Sequence, residues 1–195
     1  MDQGNTLDRR DAVKTILADR GSILTVSSLG GPSYDVAAIN VDFEQDFPLG
    51  GAMGQAVMTA LGLALAQPER RVVAFVGDGE MLMSLGALAT VGAEKPQNLA
   101  VVVIDNEHYA ETGMQRTHTG RGVDIAGIAT ACGFGEVHTV RTQAELEKAA
   151  PRVRTGPGPV LISLKVTTEI GPLFARNRDG VWQKGQFRKA LLGSP

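Results

Sequence analysis

Two apolar runs in this chain stop on residues rich in oxygen. Val72 to Val76 runs into Gly77-Asp78-Gly79-Glu80, and Ala100 to Ile104 runs into Asp105-Asn106. Asp78 supplies a carboxylate and Asn106 a neutral carbonyl oxygen. Gly77 and Gly79 let the backbone turn tightly and approach a ligand, and a helix starting after them offers free amide donors to a phosphate. One carboxylate, one amide and nearby backbone carbonyls, completed by phosphate oxygens, suit magnesium better than a soft metal. The combination points to a magnesium–diphosphate site. Taken singly, Asp-Gly after a strand is usually only a turn, and Asp-Asn usually only ends a strand. The inference rests on the two occurring together, on adjacent strand ends of one sheet.

That adjacency requires a particular architecture. Strands rich in Val and Ile without polar alternation, separated by helices, imply an α/β fold in which a parallel sheet carries helices on both faces. The expected order opens with a helix from Leu7 to Arg20, a strand in Ser22-Ile-Leu-Thr-Val-Ser-Ser28, and a short helical segment through Val36 to Ile39. After Gly50-Gly51 an Ala/Leu-rich helix runs to near Pro68. Then come a strand at 72–76, a helix at about 81–92, a strand at 99–104, a helix at about 124–132, a strand at 136–140, a helix at about 142–153 and a strand at 159–164. Thr142 and Glu145 have capping-box spacing. In open parallel sheets ligands gather outside the carboxyl ends of the strands, where both opening motifs lie.

Composition narrows the function classes. A chain of 195 residues, 43% of them hydrophobic, is most simply one domain, spanning 1–195 with a polar C-terminal tail from about 168. A net charge of -2 argues for no nucleic acid and no membrane partner. The opening residues lack the apolar core of a signal peptide, and no apolar run approaches the roughly 20 residues that span a bilayer, so a cytoplasmic protein is expected. Cys132 is the single cysteine, which excludes an internal disulfide or a thiolate cage and leaves oxygen or histidine to hold a metal.

Gly77-Asp78-Gly79 followed by Asp105-Asn106 resembles the thiamine diphosphate signature, Gly-Asp-Gly and a later Asn-Asn. The segment GGAMGQAVMTALGLALAQPERRVVAFVGDGE, Gly50 to Glu80, is similar to the family's approach to that signature. From about residue 5 to 170 the chain resembles the small, diphosphate-binding subunit of two-chain thiamine diphosphate-dependent 2-oxo acid decarboxylases, the sulfopyruvate and phosphonopyruvate decarboxylase group. The resemblance implies the diphosphate-binding half of the thiamine diphosphate-binding fold, with thiamine diphosphate and magnesium as cofactors. It implies Asp78, the Asn106 side chain and the His108 carbonyl as metal ligands, and backbone amides at Gly77, Gly79 and Glu80 around the diphosphate. It puts Met53 beneath the bent cofactor and gives the Gly51 carbonyl a hydrogen bond from the exocyclic amino group. Tyr109 and the Glu111-Thr112-Gly113 turn match the loop over the diphosphate.

Some positions stay open. A core methionine on an Ala/Leu helix is the alternative reading of Met53, against which its placement between two glycine pairs ahead of Asp78 argues. Asp105 stands where the signature carries Asn, and His108 where glycine is frequent, which makes the His108 imidazole a catalytic candidate or a solvent-facing side chain. The family's chemistry needs a carboxylic acid on the pyrimidine nitrogen, supplied by a separate pyrimidine-binding domain. The resemblance therefore implies a hetero-oligomer in which a pyrimidine-domain subunit supplies the activating Glu and a small 2-oxo acid is the substrate. Glu44 and Asp46 are the internal acids to weigh, and both read more simply as loop carboxylates. Arg176 and Arg178 could meet an anionic substrate or form a solvated basic terminus. A carboligase or oxidoreductase component, or a scaffold that only binds cofactor, are the alternative readings.

Overall fold

Val72–Gly77 (β3) and Leu99–Asp105 (β4) lie side by side and parallel at the centre of a six-stranded sheet. The remaining strands are Leu24–Ser27 (β1), Asp46–Pro48 (β2), Glu136–Val140 (β7) and Val160–Lys165 (β8), in the order β2-β1-β3-β4-β8-β7, and every pairing is parallel. This is the architecture of a computed structural model that describes residues 7–193. Part of the opening stretch read for a leader, and both ends of the expected 1–195 domain, lie outside the described residues.

The central strands alternate between two cores. Val72, Ala74 and Val76 of β3, with Val101 and Val103 of β4, pack under Ala56–Ala66 (α3), Gly86–Glu94 (α5) and Ile125–Ala131 (α6). Val73, Phe75, Val102 and Ile104 face the opposite way, against Arg9–Ile16 (α1) and Gln143–Thr155 (α7). A strand buried on both faces reads as continuous apolar sequence, which is why β3, β4 and β8 were legible without alternation. Each buried Val, Leu or Ile contributes about 1.5–3 kcal/mol relative to exposure. Among the described residues no helix is long and apolar enough to cross a membrane.

Several boundaries differ from the sequence expectation. The helix expected at about 81–92 is two: Asp78–Met83 (α4) begins directly at Asp78, and a break at Ser84-Leu85 separates it from α5. Gly31–Ala37 (α2) starts earlier than expected, with Pro32 in its first turn, where a missing amide costs nothing. The Thr142–Glu145 capping box is formed. Three short strands were missed: β2, and the hairpin of His108–Tyr109 (β5) with Gln115–Arg116 (β6). Such elements are too short to show a period. The tail expected to be polar carries a helix, Gly180–Leu192 (α8), capped by Asp179. Its Phe187 is buried against Phe47 of the β2 edge, ring centroids 5.1 Å apart.

Candidate active site

The parallel register pairs Gly77 with Ile104, so the residues that follow, Asp78 on one chain segment and Asp105-Asn106 on the other, leave the sheet at the same edge. There a cavity of about 540 Å³ opens. The β3–α4 turn (Gly77 to Glu80), the residues after β4 (Asn106, His108, Tyr109), the turn after β1 (Ser28 to Gly31) and Met53 form its wall.

Asp78 is buried at the mouth of α4. Its Oδ2 accepts a hydrogen bond from the Thr117 hydroxyl at 2.5 Å and lies 3.0 Å from the Thr119 hydroxyl oxygen. Burial, and then the neighbouring Asp105 charge, push its pKa up to about 6. The two threonines come from the stretch after β6 and were missed in the sequence. No periodic signal marks them, because the chain turns at His118 into a short 3-10 helix that begins at Thr119.

Asn106 is buried, and its Oδ1 accepts the His108 amide at 3.1 Å, a turn that fixes the side chain while leaving a second lone pair for a cation. The His108 ring folds back so that Nδ1 lies 2.9 Å from the Asn106 carbonyl oxygen. A carbonyl only accepts, so Nδ1 carries the proton and Nε2 is the basic nitrogen of the neutral ring. Tyr109 packs on Gly79 so closely that a Cβ there would collide with its ring.

Met53 lines the cavity from the turn before α3, because the helix starts only at Ala56. The alternative reading of Met53 as a core residue on the Ala/Leu helix is thereby set aside. Gly51 is exposed and does not line the cavity. Thr112 does line it, and its hydroxyl donates to Gln115 at 3.0 Å, while Gly113, at φ 116°, makes the turn between β5 and β6. Glu80 carries more than an amide: its buried Oε1 accepts from the Ala56 amide at 3.4 Å, tying α4 to the start of α3. Burial pushes its pKa up, against the pull of the Ser28 hydroxyl and the Ala56 and Gly54 amides.

The remaining candidates divide. Asp46 is held by Arg20 and Thr25, each at 2.6 Å, and with Glu44 lines a separate small cavity. Neither acid lines the cavity that holds Asp78. Arg178 does, with its Nη2 donating to the Tyr34 hydroxyl at 2.6 Å. Arg176 donates to the Ser33 hydroxyl at 2.8 Å and lies over the Tyr34 ring at 4.6 Å. Both reach α2, where Arg176 is half-buried and Arg178 remains exposed to solvent, as a basic terminus would be. Arg9 and Arg10 line the same cavity, paired with buried Asp35 at 2.7 and 3.5 Å.

The donors at Asp78 and Asn106 are all oxygen, as a hard cation needs. With both threonines on Oδ2, the other carboxylate oxygen of Asp78 stands outside that cluster. Among the described residues no group of three or more His, Cys, Asp or Glu could enclose a metal. A cation here therefore takes much of its shell from a ligand, as diphosphate oxygens would provide, and the cavity has room for that ligand.

Residues 44–164 match the family described as thiamine pyrophosphate enzyme, C-terminal TPP binding domain. The chain is 40% identical over 141 residues to the sulfopyruvate decarboxylase subunit beta of Methanocaldococcus jannaschii, an alignment covering 72% of this chain and 73% of that one. It is 41% identical over 141 residues to the phosphonopyruvate decarboxylase of Streptomyces viridochromogenes, covering 72% of this chain but 35% of that longer protein. The benzoylformate decarboxylase structure from Polynucleobacter necessarius superposes with a TM-score of 0.70 at 21% identity, covering 89% of this chain and 35% of that one, and shares the fold. The chain thus belongs to the thiamine pyrophosphate enzymes as the diphosphate-binding subunit of a thiamine diphosphate-dependent decarboxylase.

Proposed function

We propose that this subunit works with a pyrimidine-binding-domain chain to decarboxylate a 2-oxo acid that carries a second acid group, a sulfonate or a phosphonate. The observation that carries the shared site is the state of the acids around the cavity. Asp35 is paired with Arg9 and Arg10, Asp78 is engaged by Thr117 and Thr119, Glu80 is tied to the Ala56 amide, and Glu111 lies against Gly30. Asp35 is committed to its ion pairs and Asp78 to the metal, while Glu80 and Glu111 stand on the two turns assigned to the diphosphate, which leaves the pyrimidine end of the cofactor to be served from another chain. The surface supports the same reading: α3 is apolar apart from Thr59 yet leaves Met58 and Leu65 in solvent, and Met83 of α4 is 67% exposed. A helix so apolar belongs inside an interface.

The second acid group is supported by the relatives, whose names specify sulfopyruvate and phosphonopyruvate, and by the guanidinium groups of Arg10 and Arg178 on the cavity wall. Asp78, Asn106 and the His108 carbonyl would hold magnesium beside the diphosphate. Met53, on the turn before α3, would support the cofactor, and His108 Nε2 would offer a proton acceptor at the cavity. The bound thiamine diphosphate supplies the electron sink for loss of carbon dioxide.

The test is co-expression with a pyrimidine-domain chain, followed by measurement of carbon dioxide and aldehyde from sulfonated, phosphonated and plain 2-oxo acids. Activity is expected only in the complex, with the plain acids poorest. Rapid exchange of the thiazolium proton in deuterated buffer by the single chain with cofactor and magnesium would show an internal activating acid and end the shared-site reading.

A further inference from the structure

Asp105 is the residue at which this chain departs from the amide of its family signature, and its surroundings are built around that departure. It ends β4, is buried, and stands directly opposite Lys165, the last residue of β8, in the parallel ladder. Lys165 is itself buried, with Nζ 2.6 Å from Asp105 Oδ2 and 3.0 Å from Glu107 Oε1. The other oxygen, Oδ1, accepts the Glu107 amide at 3.1 Å and the Thr119 hydroxyl at 2.8 Å. The same Thr119 oxygen lies 3.0 Å from Asp78 Oδ2. One hydroxyl thus stands between the metal-binding carboxylate and a second, buried carboxylate that the family signature does not require.

Two such carboxylates would present a cation with twice the charge of the usual site. We infer that Lys165 sets the charge of the magnesium site: by pairing with Asp105 it offsets the negative charge that Asp105 adds beside Asp78 and keeps Asp105 from becoming a metal ligand. The pair does in two residues what a neutral amide does in one. An amide at this position would accept on one side and donate on the other; Asp105 accepts on both, and Lys165 provides the donor and the missing positive charge. Lys165 is accordingly a positioning residue that acts through Asp105 and Thr119 and touches neither metal nor cofactor. The inference rests on the reading of Asp78 and Asn106 as metal ligands.

The experiment measures Mn²⁺ affinity by electron paramagnetic resonance in the assembled complex with saturating thiamine diphosphate. Asp105→Asn removes one negative charge beside the site and is expected to weaken Mn²⁺ binding about tenfold, the scale of one unit charge across a partly screened distance. Lys165→Met is expected to strengthen it by a similar factor. The double variant Asp105→Asn/Lys165→Met restores the charge balance and should return the affinity to within about threefold of the parent. A purely structural role predicts losses in both single variants and a larger loss in the double, and that pattern would overturn the inference. Should Lys165→Met fail to fold because it leaves a buried carboxylate unpaired, the comparison of Asp105→Asn with the double variant decides alone. Recovery in the double supports charge setting, and no recovery refutes it. Failure of the parent complex to bind Mn²⁺ would strike the metal-site reading itself, a distinct result.

Discussion

The Thr117 hydroxyl reaches across 39 positions of sequence to lie 2.5 Å from Asp78 Oδ2. A residue of the loop after β6 thereby orients the carboxylate that opens α4. Hydrogen bonds to a charged group contribute about 1.5–3 kcal/mol. Thr117→Val keeps the shape and removes the donor, so magnesium-dependent binding of thiamine diphosphate should weaken by roughly tenfold or more. Asp78→Ala should abolish it. Titration calorimetry with and without chelator reads both, and unchanged affinity in Asp78→Ala would remove the site.

Met53 stands on a turn, outside any helix, and faces the cavity. If it supports the bent cofactor, Met53→Ala should lower turnover far more than cofactor affinity, because the diphosphate and magnesium contacts survive while the reacting groups lose their alignment, on which rate depends steeply. Parallel measurement of kcat and cofactor Kd is the check. Equal losses in both would return Met53 to a packing role.

The raised pKa of Asp78, about 6 without metal, makes a prediction with a definite sign. The folded-state value lies above the ordinary 3.8, so the folded protein holds this proton more tightly than the unfolded chain. The stability that Asp78 contributes in the metal-free protein is therefore greatest at acid pH and declines as pH rises from about 4 to about 6. Magnesium competes with the proton, so metal affinity should fall as pH drops below about 6. Thermal melts of the metal-free protein across pH 4–7, compared with Asp78→Asn, test the first point: the variant should lose this component of the slope. Calorimetric titrations at pH 5 and 7 test the second.

Arg178 lines the cavity and is restrained by the Tyr34 hydroxyl at 2.6 Å. Arg178→Ala should raise the KM for a sulfonated 2-oxo acid by about tenfold, the scale of one charge-assisted contact, and leave plain pyruvate within about twofold. Equal effects on the two substrates would place Arg178 in a structural role on α2.

The order of strands and helices around the sheet could be read from sequence because each central strand is buried on both faces. Val72 to Val76 and Leu99 to Ile104 announce themselves as unbroken apolar runs. Asp78 and Asn106 were legible for the same reason, since a residue that ends such a strand leaves the sheet at the ligand-binding edge. Thr117 and Thr119 carry no periodic signal, and their role arises only when a short hairpin folds them back onto Asp78. Lys165 reads as the polar end of a strand until the parallel register sets it opposite Asp105. Glu80 reads as a turn residue until packing brings the start of α3 over its carboxylate. The sheet and its ligand edge follow from hydrophobic burial, which is written residue by residue along the chain. The partners of the site carboxylates depend on contacts between distant segments, which tertiary packing alone brings into register.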